Sequence, residues 1–171
     1  MVKAGEAEIG VSTETVRQHP DLAFLPGGTI ARSLVLPRGH PLTRERRITL
    51  DAIARYPLVA YSFRARGGQI MEGAFQARGL FIDAVVSAMD ADVVIAYIAA
   101  GLGIGIVPSM AVAADLPEGL TVIDVTRLFP DSRLTLSLRR GIYLRPHMAD
   151  FIQAVAPAWT ASAIKWVLGS Q

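Results

Sequence analysis

The stretch Ala99-Ala100-Gly101-Leu102-Gly103-Ile104-Gly105-Ile106-Val107-Pro108 decides how this chain folds. Before it, Asp90-Ala91-Asp92 and the apolar residues of 93–98 predict an N-capped helix. The glycines then end that helix, and residues 104–107 predict a buried strand. A phosphate- or dinucleotide-binding loop needs the opposite order, a strand followed by glycines and then a helix. The run therefore indicates a helix C-cap and a turn back into the parallel sheet of an α/β protein whose sites lie elsewhere.

Length and composition limit the classes of protein that this chain can represent. Its 171 residues allow one domain or two small lobes, and 51% of them are hydrophobic, which is enough for a real core. No apolar run approaches the ~18 residues of a membrane span, and no signal pattern appears at the N-terminus. Cysteine is absent, which fits a reducing cytoplasm. A formal net charge of +2 without a basic helix argues against a nucleic-acid surface on this chain.

Outward from the glycine run, predicted strands and helices alternate along the chain. Alternation of this kind predicts a mostly parallel sheet with helices on both faces. A final amphipathic helix is expected over 146–168 with a break at Pro157, and Trp159 and Trp166 are expected to pack along it. The strands are predicted at 7–11, 21–25, 31–36, 57–61, 81–87, 104–107, 120–125 and 134–138, and the other helices at 68–78, 90–100 and 108–114.

The carboxyl ends of the strands are the expected place for a ligand in an open α/β sheet. The richest loop there, 62–68, carries a hydroxyl, two guanidinium groups and two glycines where a helix begins. Helix N-termini present free N–H groups and a partial positive charge, and arginine adds charge-assisted hydrogen bonds. This loop can therefore hold a small oxyanion such as sulfate, phosphate or a carboxylate, although a solvated Gly-Arg loop has the same composition. The other loops at strand ends are 12–14, 88–90 and 108–109.

Catalytic and metal-binding alternatives have weaker support in the sequence. The histidines lie far apart without metal-ligand spacing; His40 is expected in a turn and His147 in the first turn of the last helix. The serines at the strand ends lie outside any G-x-S-x-G motif. Asp90 and Asp92 could be paired carboxylates, but an N-cap and a first-turn residue explain them more simply. We therefore predict no metal site and no catalytic residue, and we expect that the chain is not an enzyme.

Motifs along essentially the whole chain, in their order and spacing, resemble those of LysR-type transcriptional regulators. Within that family the chain is most similar to the CysB-like branch, the sulfur-assimilation regulators. The family motifs are matched by Gly5-Glu6-Ala7-Glu8-Ile9-Gly10-Val11, Leu36-Pro37-Arg38-Gly39-His40-Pro41-Leu42, Leu50-Asp51-Ala52-Ile53-Ala54-Arg55-Tyr56-Pro57-Leu58-Val59 and the glycine run. The branch is indicated by Met89-Asp90-Ala91-Asp92-Val93, Pro108-Ser109-Met110-Ala111-Val112, residues 138–145, Phe151-Ile152-Gln153 and Ala156-Pro157.

The resemblance implies an effector-binding domain of the periplasmic-binding-protein type II fold, in which two α/β lobes enclose a ligand cleft. By that analogy, residues 1–25 and 131–171 form lobe I, and residues 26–130 form lobe II. Lobe I is expected to be incomplete, because the family's winged helix-turn-helix DNA-binding domain, linker helix and first strand–helix–strand have no counterpart in this sequence. DNA would be bound only through that missing N-terminal domain, in the cytoplasm.

The resemblance also implies a ligand and the residues that bind it. Similar proteins respond to sulfate, thiosulfate, O-acetylserine, N-acetylserine or adenylyl sulfate, and no cofactor is expected. Thr13 matches the threonine of an A-T-E motif that contacts sulfate in CysB-like proteins. Two positions depart from that pattern, since Arg66 replaces the threonine of their T-G-R-S loop and Met89 stands where a threonine often precedes D-A-D. The predicted site combines hydroxyls, guanidinium groups and helix-end amides, from Ser12, Thr13, Ser62, Arg64, Arg66, Gly67 and Gly68.

The expected function is that of an effector-sensing domain in a bacterial regulator of sulfur or cysteine metabolism. A small anionic metabolite would shift the arrangement of the lobes and so control transcription. Similar domains form dimers and then tetramers, so self-association is expected, and no membrane partner is. Two alternatives remain. One is the solute-binding protein of a transporter, which shares the fold but carries a signal peptide. The other is an enzyme on the same fold, for which no acid–base pair or nucleophile is evident.

Overall fold

The chain forms two compact units. The computed structural model describes residues 1–13, 19–61, 66–112 and 116–169. Unit 1 joins Met1–Thr29 to Ser132–Gln171, and unit 2 is Ile30–Asp131. Among the helices that the structure describes, none combines the length and apolarity needed to span a membrane. The described strands are β1 (Ile9–Ser12), β2 (Leu22–Thr29), β3 (Arg32–Pro37), β4 (Leu58–Tyr61), β5 (Ala84–Ala88), β6 (Gly105–Pro108), β7 (Leu120–Asp124) and β8 (Arg133–Arg139). The described α-helices are α1 (Leu50–Ile53), α2 (Arg66–Gln76), α3 (Ala91–Ala99), α4 (Pro146–Val155) and α5 (Ala161–Leu168).

Unit 1 is built on an antiparallel sheet against which the C-terminal helices pack. β8 lies in the centre of this sheet, with β1 on one side and β2 on the other. Side chains alternate along β8, so Leu136 and Leu138 point to the same face and are fully buried. Met148 and Ile152 of α4 and Ile164 of α5 complete the core on that face. The burial of each such side chain contributes about 1.5–3 kcal/mol to folding.

The predicted C-terminal helix is interrupted where a proline was expected to break it. Pro157 lies between α4 and α5, and its ring cannot continue an α-helix. The Thr160 hydroxyl then accepts a hydrogen bond from the Ala163 N–H at 3.2 Å, which caps the start of α5. The break predicted from the sequence is therefore confirmed.

The two tryptophans near the C-terminus have different environments. Trp159 lies between α4 and α5, and its indole N–H donates a hydrogen bond to the Pro26 carbonyl at 2.8 Å. Trp166 is 84% exposed. The expectation that Trp166 packs is wrong, because the helical period places Ile164 and Leu168 on the buried face of α5 and residue 166 on the opposite one.

Unit 2 is a mixed sheet with α2 on one face and α3 on the other. β3 pairs antiparallel with both β6 and β7, and β4 pairs parallel with β5. A parallel bridge between Leu58 and Ile104 joins these two groups of strands, and the Val59 N–H donates to the Ile104 carbonyl at 2.8 Å. The order of strands across unit 2 is therefore β5-β4-β6-β3-β7.

Alternation along β3 shows why both faces of this sheet are covered. Leu34 and Leu36 lie in the core cluster that contains Phe75 of α2. Val35 belongs to a second cluster, with Ile98 of α3. A strand that is apolar on both faces needs a helix on each of them, as the sequence predicts for an α/β sheet.

The expectation of a mostly parallel sheet is wrong for unit 1 and incomplete for unit 2. The pairs that β8 makes with β1 and β2 are antiparallel. In unit 2, the strands β4 to β7 run in one direction, as the alternation of strands and helices predicts, but β3 runs against them. β3 follows β2 after the short connection 30–31, and β8 follows the 3-10 turn Thr126–Leu128. Neither strand enters through a helical crossover, so no crossover fixes its direction.

The glycine run has the order predicted for it, helix and then strand. The Asp90 side chain accepts a hydrogen bond from the Asp92 N–H at 2.9 Å and caps α3. At the other end of α3, Gly101 adopts φ +83°, the left-handed conformation that ends helices. β6 begins four residues later, at Gly105. This order excludes the geometry of a phosphate-binding loop.

Candidate functional site

The carboxyl end of β1 carries two of the predicted ligand-binding hydroxyls. Ser12 is the last residue of β1 and pairs with Thr135 of β8, and Thr13 follows it. The Ser12 Oγ atom is buried without a hydrogen-bond partner, and no other side-chain atom in the described chain is so placed. A sealed hydroxyl without a partner costs about 1–3 kcal/mol relative to one that is hydrogen-bonded. Ser12 Oγ therefore has an unused capacity for a hydrogen bond.

The first turn of α2 carries three more of the predicted residues. Its backbone N–H groups have no partners within the helix, and the helix dipole places a partial positive charge there. Met71 and Phe75 anchor α2 in the core of unit 2. The amides are thus held in place and favour an anion by about 0.3–1 kcal/mol at an exposed site. The residues of this turn are Arg66, Gly67 and Gly68.

The predicted site residues fall in both units of the chain. Ser12 and Thr13 belong to unit 1, next to each other at the end of β1. Residues 66–68 belong to unit 2, where one helical turn brings them together. Ser62 and Arg64 lie outside the described residues.

The remaining loops at strand ends make structural hydrogen bonds. Asp90 caps α3, which agrees with the N-cap interpretation and not with a pair of catalytic carboxylates. The Ser109 Oγ lies 2.8 Å from the Ser33 Oγ. The Ser109 N–H donates to the Ala31 carbonyl at 2.9 Å. These hydrogen bonds fix the start of β3 against the end of β6.

Two of the histidines are engaged in local structure. The His40 Nδ1 accepts a hydrogen bond from the Leu42 N–H at 3.2 Å, in the turn where the sequence places this residue. Burial lowers the pKa of His40. His147 lies in the first turn of α4, as predicted, and its Nε2 is 3.0 Å from the Glu8 Oε2. Within the described ranges, no three His, Asp or Glu side chains gather where they could hold a metal ion.

Arg32 is a candidate that sequence reasoning missed. It is the first residue of β3 and is only 5% exposed. Its guanidinium carbon lies 5.6 Å from the centre of the Phe129 ring. Desolvation by the surrounding protein lowers the pKa of Arg32. Its position in the strand could have indicated this burial. Side chains two residues apart point to the same face of a strand, so Arg32 shares a face with the buried Leu34 and Leu36.

Comparison with known proteins identifies relatives of the whole chain. The model of the LysR substrate binding domain matches residues 1–160. The HTH-type transcriptional regulator SsuR of Burkholderia cenocepacia is 35% identical over 168 residues, which cover 98% of this chain and 54% of the relative. The solved cofactor-binding domain of the Cbl transcriptional regulator matches with a TM-score of 0.85 at 34% identity, covering 99% of this chain and 75% of that chain.

A more distant solved structure shares the fold alone. The effector binding domain of QuiR in complex with shikimate has a TM-score of 0.70 at 19% identity and covers 88% of this chain and 70% of that chain. The chain spans about half the length of the curated relatives it matches.

These matches bear on the expectations for fold and function. The expected α/β fold of the periplasmic-binding-protein type II is confirmed. The relatives are named as transcriptional regulators, so the transporter alternative is not favoured. Over 160 of its 171 residues, this chain belongs to the LysR substrate-binding domain family.

Proposed function

We propose that this chain senses a small anionic effector for a bacterial transcriptional regulator of sulfur or cysteine metabolism. The proposed effector is sulfate, O-acetylserine, N-acetylserine or a similar anion. Its binding would favour one arrangement of the regulator over another and so alter transcription. Membership of the family supports this role, as does the similarity to regulators named SsuR, CysB and Cbl.

The buried, unpartnered Ser12 Oγ is the observation that carries the proposal. Buried polar groups in folded proteins are nearly always hydrogen-bonded, so an isolated one needs a partner that the described residues do not supply. An oxyanion can accept a hydrogen bond from the Ser12 hydroxyl, and Thr13 offers a second hydroxyl next to it. Both residues lie next to each other at the end of β1.

The remaining predicted residues complete the proposed site with positive charge. Guanidinium groups bind oxyanions with charge-assisted, often paired hydrogen bonds, and helix-end amides add further donors. We assign the guanidinium contacts to Arg64 and Arg66 and the helix-end amides to Gly67 and Gly68. Ser62 is assigned as another hydroxyl donor.

Titration calorimetry of the chain with sulfate, O-acetylserine and N-acetylserine tests this function. We expect saturable heat with at least one of them. Ser12→Ala should weaken that binding by about tenfold to a hundredfold, because a hydrogen bond to a charged group contributes roughly 1.5–3 kcal/mol. Ser87→Ala, at an exposed serine of β5, is the matched control and should bind like the wild type. Absence of saturable heat with all three compounds would contradict the proposal.

The whole regulator is proposed to bind DNA through a winged helix-turn-helix domain N-terminal to this chain, in the cytoplasm. We also propose that it self-associates to dimers or tetramers, without catalysing a reaction or binding a membrane. The DNA sequence immediately upstream of the Met1 codon tests the first point directly. An in-frame helix-turn-helix supports it, and an unrelated or out-of-frame sequence counts against it.

A further inference from the structure

Arg32 carries a positive charge that the described part of the chain does not balance. None of the ion pairs between described residues includes it. Its hydrogen bonds there are made by its backbone. Asp124, beside the neighbouring Ser33 in the sheet, is already engaged, because hydrogen bonds from the Thr126 side chain and backbone lower the pKa of this carboxyl. Among the described residues, the guanidinium of Arg32 is therefore buried without a counter-charge.

An uncompensated buried guanidinium is unfavourable for folding. Moving an ion out of water costs several kcal/mol even after relaxation, whereas contact with an aromatic ring returns about 0.5–2 kcal/mol. The contact with Phe129 therefore does not account for the burial of Arg32. Among the described residues, the side-chain polar atom that is both inaccessible to solvent and without a hydrogen-bond partner is Ser12 Oγ. The guanidinium nitrogens of Arg32 also have no hydrogen-bond partner there, so they keep some contact with solvent.

The backbone of Arg32 is held on both sides. Its N–H donates to the Thr126 Oγ1 at 2.9 Å, and its carbonyl accepts from the Val125 N–H at 2.9 Å. On the other side it pairs with Pro108, the last residue of β6. The base of the side chain is thus fixed before any ligand binds, which reduces the entropy that binding must overcome.

Arg32 and the first turn of α2 lie at the same edge of the unit 2 sheet. β3 runs against β6, so its first residue lies where β6 ends. β4 runs parallel to β6, and α2 begins beyond the carboxyl end of β4. β4 and β3 flank β6, so they are about 10 Å apart. Arg32 shares a strand face with Leu34 and Leu36, and this is the face against which Phe75 of α2 packs.

We propose that Arg32 and the first-turn amides of α2 form an oxyanion subsite within unit 2. The guanidinium provides the counter-charge for a carboxylate or sulfate group, and the α2 amides donate to the same ligand. The planar fork of arginine matches two oxygens of such a group, and the helix dipole adds to its attraction. This inference rests on the proposed function and adds to it a charged residue, Arg32, that the sequence motifs do not assign.

Arg32→Met tests the subsite, because methionine keeps an apolar stem beside Phe129 and removes the charge. Sulfate and N-acetylserine are the probes, in titration calorimetry and in thermal unfolding without added anion. Affinity should fall by about tenfold to a hundredfold, the loss expected for a charged hydrogen bond. The Tm without anion should stay the same or rise, because an uncompensated charge is removed. Arg38→Met removes an exposed charge just beyond the other end of β3 and should change neither quantity.

A structural role for Arg32 predicts the reverse pattern. Arg32→Met would then lower the Tm and leave the affinity unchanged, which would overturn the inference. Arg32→Lys keeps the positive charge but loses the planar guanidinium, so it should bind the anion with intermediate affinity. If Arg32→Met does not fold, Arg32→Lys provides the test. An unchanged affinity of Arg32→Lys would then overturn the proposed subsite. Normal binding by the Arg32 variants contradicts this inference alone. Absence of binding by the wild-type chain contradicts the proposed function and this inference together.

Discussion

At Gly103, the chain leaving α3 passes close to Pro57, the residue before β4. A Cβ built there would collide with the carbonyl oxygen of Pro57, and backbone atoms cannot move aside as a side chain can. The next residue, Ile104, donates its N–H to that same carbonyl at 3.0 Å. The missing side chain therefore permits the contact that joins β4 to the strand that follows the glycine run.

Substitution of this glycine should be costly. We expect Gly103→Ala to lower the free energy of unfolding by roughly 2–4 kcal/mol, because overpacking against a backbone carbonyl displaces the strand. Urea denaturation followed by circular dichroism measures the change. The same substitution at Gly73 of α2, where a Cβ meets nothing within 4 Å, should instead raise the stability by about 0.5–1 kcal/mol. Similar effects at the two positions would show that the close approach to Pro57 is unimportant.

At the scale of elements, a cluster of charges joins the segment before β1 to the start of α4. The Glu8 carboxylate lies 2.8 Å from Arg145 Nη1 through one oxygen and 3.0 Å from His147 Nε2 through the other. The hydrogen bond with His147, aided by the charges of Arg145 and His147, lowers the pKa of Glu8 below its usual value of 4.5. The cluster thus holds together two elements that are far apart in sequence.

The stability of this contact should depend on pH in one direction. A carboxyl with a lowered pKa in the folded chain stabilises it above the unfolded pKa, and the effect disappears as the pH falls through the folded value. Glu8→Gln should therefore reduce the stability slightly at pH 6, and the difference from wild type should shrink as the pH falls through the lowered folded pKa of Glu8. Thermal unfolding over pH 3–7 measures it. Glu118→Gln, at an exposed position, is the control, and a difference that persists at low pH would contradict this account.

At the scale of the whole molecule, each unit has its own core. The two clusters on the faces of the unit 2 sheet consist of residues between Leu34 and Phe129. The cluster of unit 1 combines residues of β2 and β8 with those of α4 and α5. Unit 2 is therefore a continuous piece of chain with a complete core, whereas unit 1 is assembled from two separate pieces.

This arrangement predicts how fragments of the chain behave. A fragment comprising Ile30–Asp131 should fold by itself, because every strand partner within its sheet is included. Residues 1–29 alone should stay unfolded, because β1 and β2 both pair with the absent β8. Circular dichroism with urea titration distinguishes the two outcomes. A fragment of unit 2 without a cooperative transition would show that its core depends on the rest of the chain.

Local patterns predicted much of the fold and part of the candidate site. The cap at Asp90 and the glycines that end α3 depend on a few neighbouring residues, as does the break at Pro157. Such features are encoded within one or two turns of chain. The placement of Ser12 and Thr13 at the end of a strand followed from a short apolar run and was correct.

Only the tertiary structure decided the directions of β3 and β8 and the environment of Arg32. Strand direction depends on partners distant in sequence, and no helical crossover constrains these two strands. The fixation of Arg32 by Thr126 and Pro108 likewise joins distant residues. Whether a buried charge is balanced depends on every group around it in space, and that sum becomes defined only when the sheet has formed.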